Sequence, residues 1–166
     1  MRRAPVAPVT VVGLAVLLAA LLTGCSSALP VPPPDPAPSG AAAYSCAAIR
    51  GRLPDEVDGA TVTAVKPQSP FTSAWGSPAI VLRCGVGVPT ALTPTSQLLV
   101  VDGVSWLPEQ LTQGYLFTTV GLAVNVEVSV PDHYAPEADA LADITPAIVA
   151  VVPSASPDPT SSPSSS

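Results

Sequence analysis

Positive charge is scarce in this sequence: 6 Lys and Arg stand against 12 Asp and Glu among 166 residues. Two of the six, Arg2 and Arg3, sit at the extreme N-terminus, which leaves Arg50, Arg52, Lys66 and Arg83 for everything else. Nucleic acid binding needs clustered cations to neutralise phosphates, so no nucleic acid partner is expected. A polybasic grip on anionic lipid is excluded for the same reason. There is one histidine, His133, and aromatic residues make up only 4% of the chain. A metal site assembled from that histidine and a pair of distant cysteines has no ligand spacing to support it, and no cofactor is expected. An apolar run of spanning length, about 20 residues, is also missing.

A shorter apolar run is present. Residues 9–22 are apolar or small, follow Arg2 and Arg3, and end in Leu22-Thr23-Gly24-Cys25. A charged n-region, a short apolar stretch and small residues before a cleavage point are the parts of an export signal. The last four residues resemble the bacterial lipobox, in which the cysteine thiol takes a diacylglycerol and cleavage makes that cysteine the N-terminus. Residues 1–24 are therefore expected as a lipoprotein signal peptide and Cys25 as the lipidation site. The competing reading is an uncleaved signal anchor with an incidental thiol. Either way Arg2 and Arg3 stay inside and the rest is exported. Two acyl chains suffice for stable attachment, so the expected place is the extracytoplasmic face of the cell membrane.

Much of the 22-residue proline content lies near the two ends. Residues 25–43, rich in Pro, Ala and Ser, read as a semi-rigid linker of polyproline character. Residues 153–166 read as a disordered Pro/Ser tail. One domain is expected over residues 44–152. With Cys25 lipidated, Cys46 and Cys84 remain as a pair in an oxidising compartment, which argues for a disulfide between them. Two buried free thiols would need a reducing environment.

Within the domain, Ser45 can cap a short helix beginning at Cys46 and stopped by Pro54. Strands are expected at residues 61–65 and 79–84, the latter mostly apolar and so central. Asp102-Gly103 between apolar runs is a hairpin signal, because both positions tolerate the positive φ of a type I′ turn. Residues 115–120 are a further strand. In residues 124–130, Val124, Val126, Val128 and Val130 alternate with Asn125, Glu127 and Ser129, the period of a half-buried strand. A helix starting near Pro136 follows, kinked or restarted at Pro146. The fold class is α+β: a small antiparallel sheet with helices mainly on one face and one disulfide.

Three stretches carry a resemblance. They are the run Ala74-Trp75-Gly76-Ser77-Pro78 continuing to Leu82-Arg83-Cys84-Gly85, the arm Val104-Ser105-Trp106, and Phe117-Thr118-Thr119 with Val126-Glu127-Val128. Together they resemble an actinobacterial family of exported proteins, domain-of-unknown-function family 3515, over residues 46–149. The resemblance implies an envelope protein and brings no activity. Family members often carry an arginine shortly after the Thr-Thr pair; Gly121-Leu122 stands there in this chain, which weakens any shared anion site.

Chemistry is thinly signalled. Asp132-His133 pairs an acid with a base, but adjacent loop residues rarely face each other and no nucleophile elbow accompanies them. A turn or cap role for Asp132 explains the position. Asp55, Glu56, Asp58, Asp102, Glu109 and Glu127 lie in expected turns or on a solvent face, which does not suggest paired catalytic carboxylates. The strongest candidate for ligand binding is Trp75 with Arg83, which together offer stacking and charge-assisted hydrogen bonds to a carbohydrate ring or an anionic envelope component. The commoner arrangement has Trp75 plugging the core and Arg83 paired with an acid such as Glu127. The expected function is thus a non-enzymatic envelope module that binds a cell-wall polymer or another exported protein. The alternatives are an enzyme acting on envelope material, or an assembly partner that offers a sheet edge.

Overall fold

The computed structural model describes residues 28–153. Cys25, residues 1–24 and the tail beyond Pro153 lie outside the described residues. In chain order the elements are β1 (Leu29–Pro30), α1 (Gly40–Arg50), β2 (Glu56–Val57), β3 (Ala60–Thr63), β4 (Val65–Lys66), β5 (Thr72–Trp75), β6 (Ile80–Val86), β7 (Leu99–Val101), β8 (Val104–Leu111), β9 (Gly114–Val120), β10 (Asn125–Val130) and α2 (Asp139–Val149). A single 3-10 turn, Asp132–Tyr134, joins β10 to α2. No helix among the described residues is long and apolar enough to cross a membrane.

The sheet has 8 strands in the order β2-β3-β5-β6-β10-β9-β8-β7, with every neighbouring pair antiparallel. It consists of two up-and-down runs, β2-β3-β5-β6 and β7-β8-β9-β10. Residues 87–98 carry the chain from β6 to the far edge, so that β10 returns to pair with β6. The two strands most legible from their patterns, β6 and β10, are the middle pair. Their alternation places Ile80, Leu82, Cys84, Val126, Val128 and Val130 on one face, all buried. The register between β10 and β6 shifts at Asn125/Val126, and the Val126 N–H donates to Thr119 Oγ1 at 2.9 Å. That hydroxyl satisfies a buried amide where the ladder is irregular.

Both helices pack on this buried face. α1 contributes Cys46 and Ile49, one turn apart, and α2 contributes Leu141, Ile144 and Ile148. The Cys46–Cys84 disulfide ties α1 to β6 across a sequence separation of 38, with the Cα atoms 5.5 Å apart. The α+β class and the disulfide are as expected. The helix start is not: Ser45 lies inside α1, and the cap position is Ser39. The alanines at 41–43 and 47–48 have the highest helix propensity of any residue, so they extend the helix upstream of the expected cap. α2 runs unbroken through Pro146. Pro146 and Ala142, whose carbonyl loses its intrahelical partner, are both on the exposed side, where water can take the place of the missing N–H.

The opposite face is covered in part by the N-terminal segment. β1 pairs in parallel with β4, and Val31 is buried against Val65 and Ala74 in a second small core. The segment 25–43, expected as a free linker, is therefore part of the fold from Leu29 onward. Leu29 and Val31 supply the apolar surface for this docking, and Pro30 between them takes extended backbone without strain.

Candidate functional site

The ordering of β5 and β6 fixes where the candidate binding pair falls. Trp75 pairs with Ile80, and Arg83 pairs with Thr72. The members lie three positions apart on each strand, an odd offset, so the two side chains emerge on opposite faces. Trp75 is 1% exposed, and its indole Nε1 donates to the Pro54 carbonyl at 2.9 Å. It is a core residue in a strand, not a loop aromatic open to a ring. The expectation of a joint Trp75–Arg83 site is corrected accordingly: a buried indole with its one donor satisfied has nothing left to offer a ligand.

Arg83 projects onto the face away from the helices. Its Nε donates to Glu127 Oε1 at 2.8 Å, and Nη2 reaches the same oxygen. Thr72, Arg83, Glu127 and Thr118 form one cross-strand row through β5, β6, β10 and β9. The other two arginines among the described residues also have protein partners. Arg50 donates to the Ser69 carbonyl and Arg52 to the Ala48 carbonyl.

Beside this ion pair the N-terminal segment and the sheet enclose a groove of about 500 Å³. Leu29, Pro30 and Pro32 form one wall, while Val81, Leu116 and Ser129 form the floor. Arg83 and Glu127 close one end and also line a smaller recess of about 230 Å³ that includes Pro34 and Asp35. Farther along, Pro38 lies over Gly85, whose φ is +86° and where any Cβ would strike the proline ring. Sequence reasoning missed this groove, because its wall was read as linker. The available signal was Leu29 and Val31 alternating with prolines, a pattern of an extended segment with apolar contacts to make.

His133 lines a separate cleft of about 560 Å³ together with Asp58, Tyr134 and Gly76. Its ring stands edge-on to that of Tyr134, with centroids 4.9 Å apart. The Tyr134 hydroxyl donates to the Pro78 carbonyl at 2.8 Å. Desolvation, and secondarily the charge of Asp58, raises the pKa of that hydroxyl above its ordinary value. The Asp58 amide is held by Asp143 Oδ2 at 2.8 Å. Asp132 does not line the cleft, and among the described residues it makes no hydrogen bond to His133. The groove has mostly apolar walls with one charge pair, an arrangement suited to binding. The cleft has the titratable groups.

No curated protein and no solved structure matches the chain. A family model matches over residues 5–157, and the chain belongs to that family, described as a protein of unknown function (DUF3515).

Proposed function

We propose that this chain is a lipid-anchored, extracytoplasmic module that binds an envelope component without catalysing a reaction on it. The groove on the outer face of the sheet carries this reading. It is shaped by the fold rather than by flexible side chains, its lining is largely apolar, and its charged groups are already paired. Such a lining holds and orients a ligand, and its one hydroxyl, Ser129, has no histidine or unpaired carboxylate in the lining to activate it. The Leu22-Thr23-Gly24-Cys25 sequence supports attachment at Cys25, and the Cys46–Cys84 disulfide is in keeping with an oxidising compartment. The test is intact mass on protein purified from native membranes, before and after reduction and alkylation. The expected result is a chain beginning at acylated Cys25 in which two thiols appear only on reduction. An unacylated chain, or thiols free without reduction, overturns the reading.

A second reading, hydrolysis or transfer on envelope material, is favoured by one observation: His133, Tyr134 and Asp58 share a cleft. It predicts that His133→Ala abolishes a turnover measurable on envelope extracts while leaving the fold intact. Under the first reading His133→Ala is silent.

A further inference from the structure

The groove is poor in hydrogen-bond donors, and the reason lies in the backbone. The Leu29 and Val31 N–H groups are both spent on β4, donating to Ala64 O at 2.7 Å and Lys66 O at 3.0 Å. In extended chain alternate N–H groups point to opposite edges, so the free edge of β1 would draw its donors from residues 30 and 32. Both are proline. Pro78 and Pro131, also in the lining, have none either. An extended peptide adding to this edge would find carbonyls but no N–H, so strand addition is blocked on the groove side. What fits an apolar, donor-poor channel is a hydrocarbon chain.

Two further observations narrow the occupant. Only four residues lead from Cys25 to Leu29, and at full extension they reach no more than about 14 Å. If Cys25 carries the anchor, on which this inference rests, the Leu29 end of the groove is held at the depth of the lipid headgroups. At the other end Arg83 is already taken up by Glu127, and the adjoining recess adds Asp35. The charge there is net negative, which repels an anionic headgroup and favours an ammonium-bearing one.

We propose that the groove takes an acyl chain of a zwitterionic, ammonium-bearing membrane phospholipid, with the headgroup at the Arg83–Glu127–Asp35 end.

The mature protein from native membranes, reconstituted in nanodiscs of phosphatidylcholine carrying a photoactivatable acyl chain, tests this by peptide mapping after illumination. Adducts on Val81, Leu116 and β1 are expected, with loss of most of that labelling in Ser129→Phe, which fills the floor. Leu116→Gln serves if Ser129→Phe does not fold, and an unchanged mass difference on reduction shows that either variant keeps its disulfide. Replacing the probe with its phosphatidylglycerol counterpart is expected to reduce labelling. Adducts confined to residues flanking Cys25, or equal labelling by the anionic probe, overturn the proposal while leaving the anchor in place. Intact mass on the same sample reports the anchor itself. An unacylated chain removes the premise of the groove's membrane-level position, and that failure is read separately from the labelling pattern.

Discussion

Glu127 receives two nitrogens of Arg83 on a single carboxylate oxygen, with the Arg83 side chain 34% and the Glu127 side chain 14% exposed. Such a half-covered pair contributes little net stability, because desolvation offsets most of the attraction. Removing one partner is different, since it leaves a partly buried charge alone. Glu127→Ala is expected to lower stability by about 1–2 kcal/mol, read as a drop in the urea midpoint at unchanged slope. The double replacement of Arg83 by Met and Glu127 by Leu should be close to neutral by the same measurement, since both charges then leave together. A double variant as unstable as the single one would mean that the pair is a structural clasp. Tyr134 gives a pH signature. Its hydroxyl pKa is raised from 10.0 by desolvation and by Asp58, so the folded state holds its proton more tightly than the unfolded state. Stability from this source is complete below the unfolded pKa and is lost as pH rises through the folded one. The melting temperature of the wild type should therefore fall slightly above about pH 10, and Tyr134→Phe should remove that part of the slope.

At the level of elements, α2 carries an avoidable defect. Pro146 sits inside the helix, on its exposed side, and costs one backbone hydrogen bond. Pro146→Ala is expected to stabilise the protein by about 1–3 kcal/mol in urea unfolding, less a few tenths for the greater freedom of the unfolded chain. No gain would mean that the proline ring makes contacts outside the helix that offset its cost. Other elements show what the sequence makes legible. β10 could be placed from alternation, β6 from its short apolar run, and the β7–β8 hairpin from Asp102-Gly103, which do take positive φ, 47° and 82°. These signals are local: a period of two, or a turn that demands one backbone conformation. β5 was missed because Ser73-Ala74-Trp75 has no alternation; Ala74 and Trp75 are both buried, one on each face. β1 was missed because a two-residue strand that includes a proline has no period, and only the distant β4 makes it a strand. The candidate site failed for a related reason. Trp75 and Arg83 are close in sequence, but the β5–β6 register pairs Trp75 with Ile80, an odd number of positions from Arg83, and so puts the two on opposite faces. The groove that does exist is made by a segment whose composition signals linker.

Across the whole molecule, the N-terminal segment and the disulfide hold opposite faces of the same sheet. α1 is tied to β6 from one side by Cys46–Cys84, while β1 and Pro38 press on the other side of β5 and β6. Breaking the two should have different effects. A double Cys46→Ala, Cys84→Ala variant loses the cross-link from the unfolded state as well as the folded one, and should cost about 2–5 kcal/mol of global stability. Val31 is 4% exposed, yet among the described residues it belongs to a satellite core whose other fully buried members are just Val65 and Ala74. A carboxylate there cannot be buried unpaired, so Val31→Asp should release β1 rather than unfold the sheet. Limited proteolysis is then expected to cut within residues 28–38 of the variant, while the rest of the domain stays resistant and the urea midpoint of the main transition shifts little. If the whole domain becomes sensitive together, the segment is part of the cooperative core. In that case the groove is as rigid as the sheet beneath it, and a ligand must enter from the ends rather than under a lifted strand.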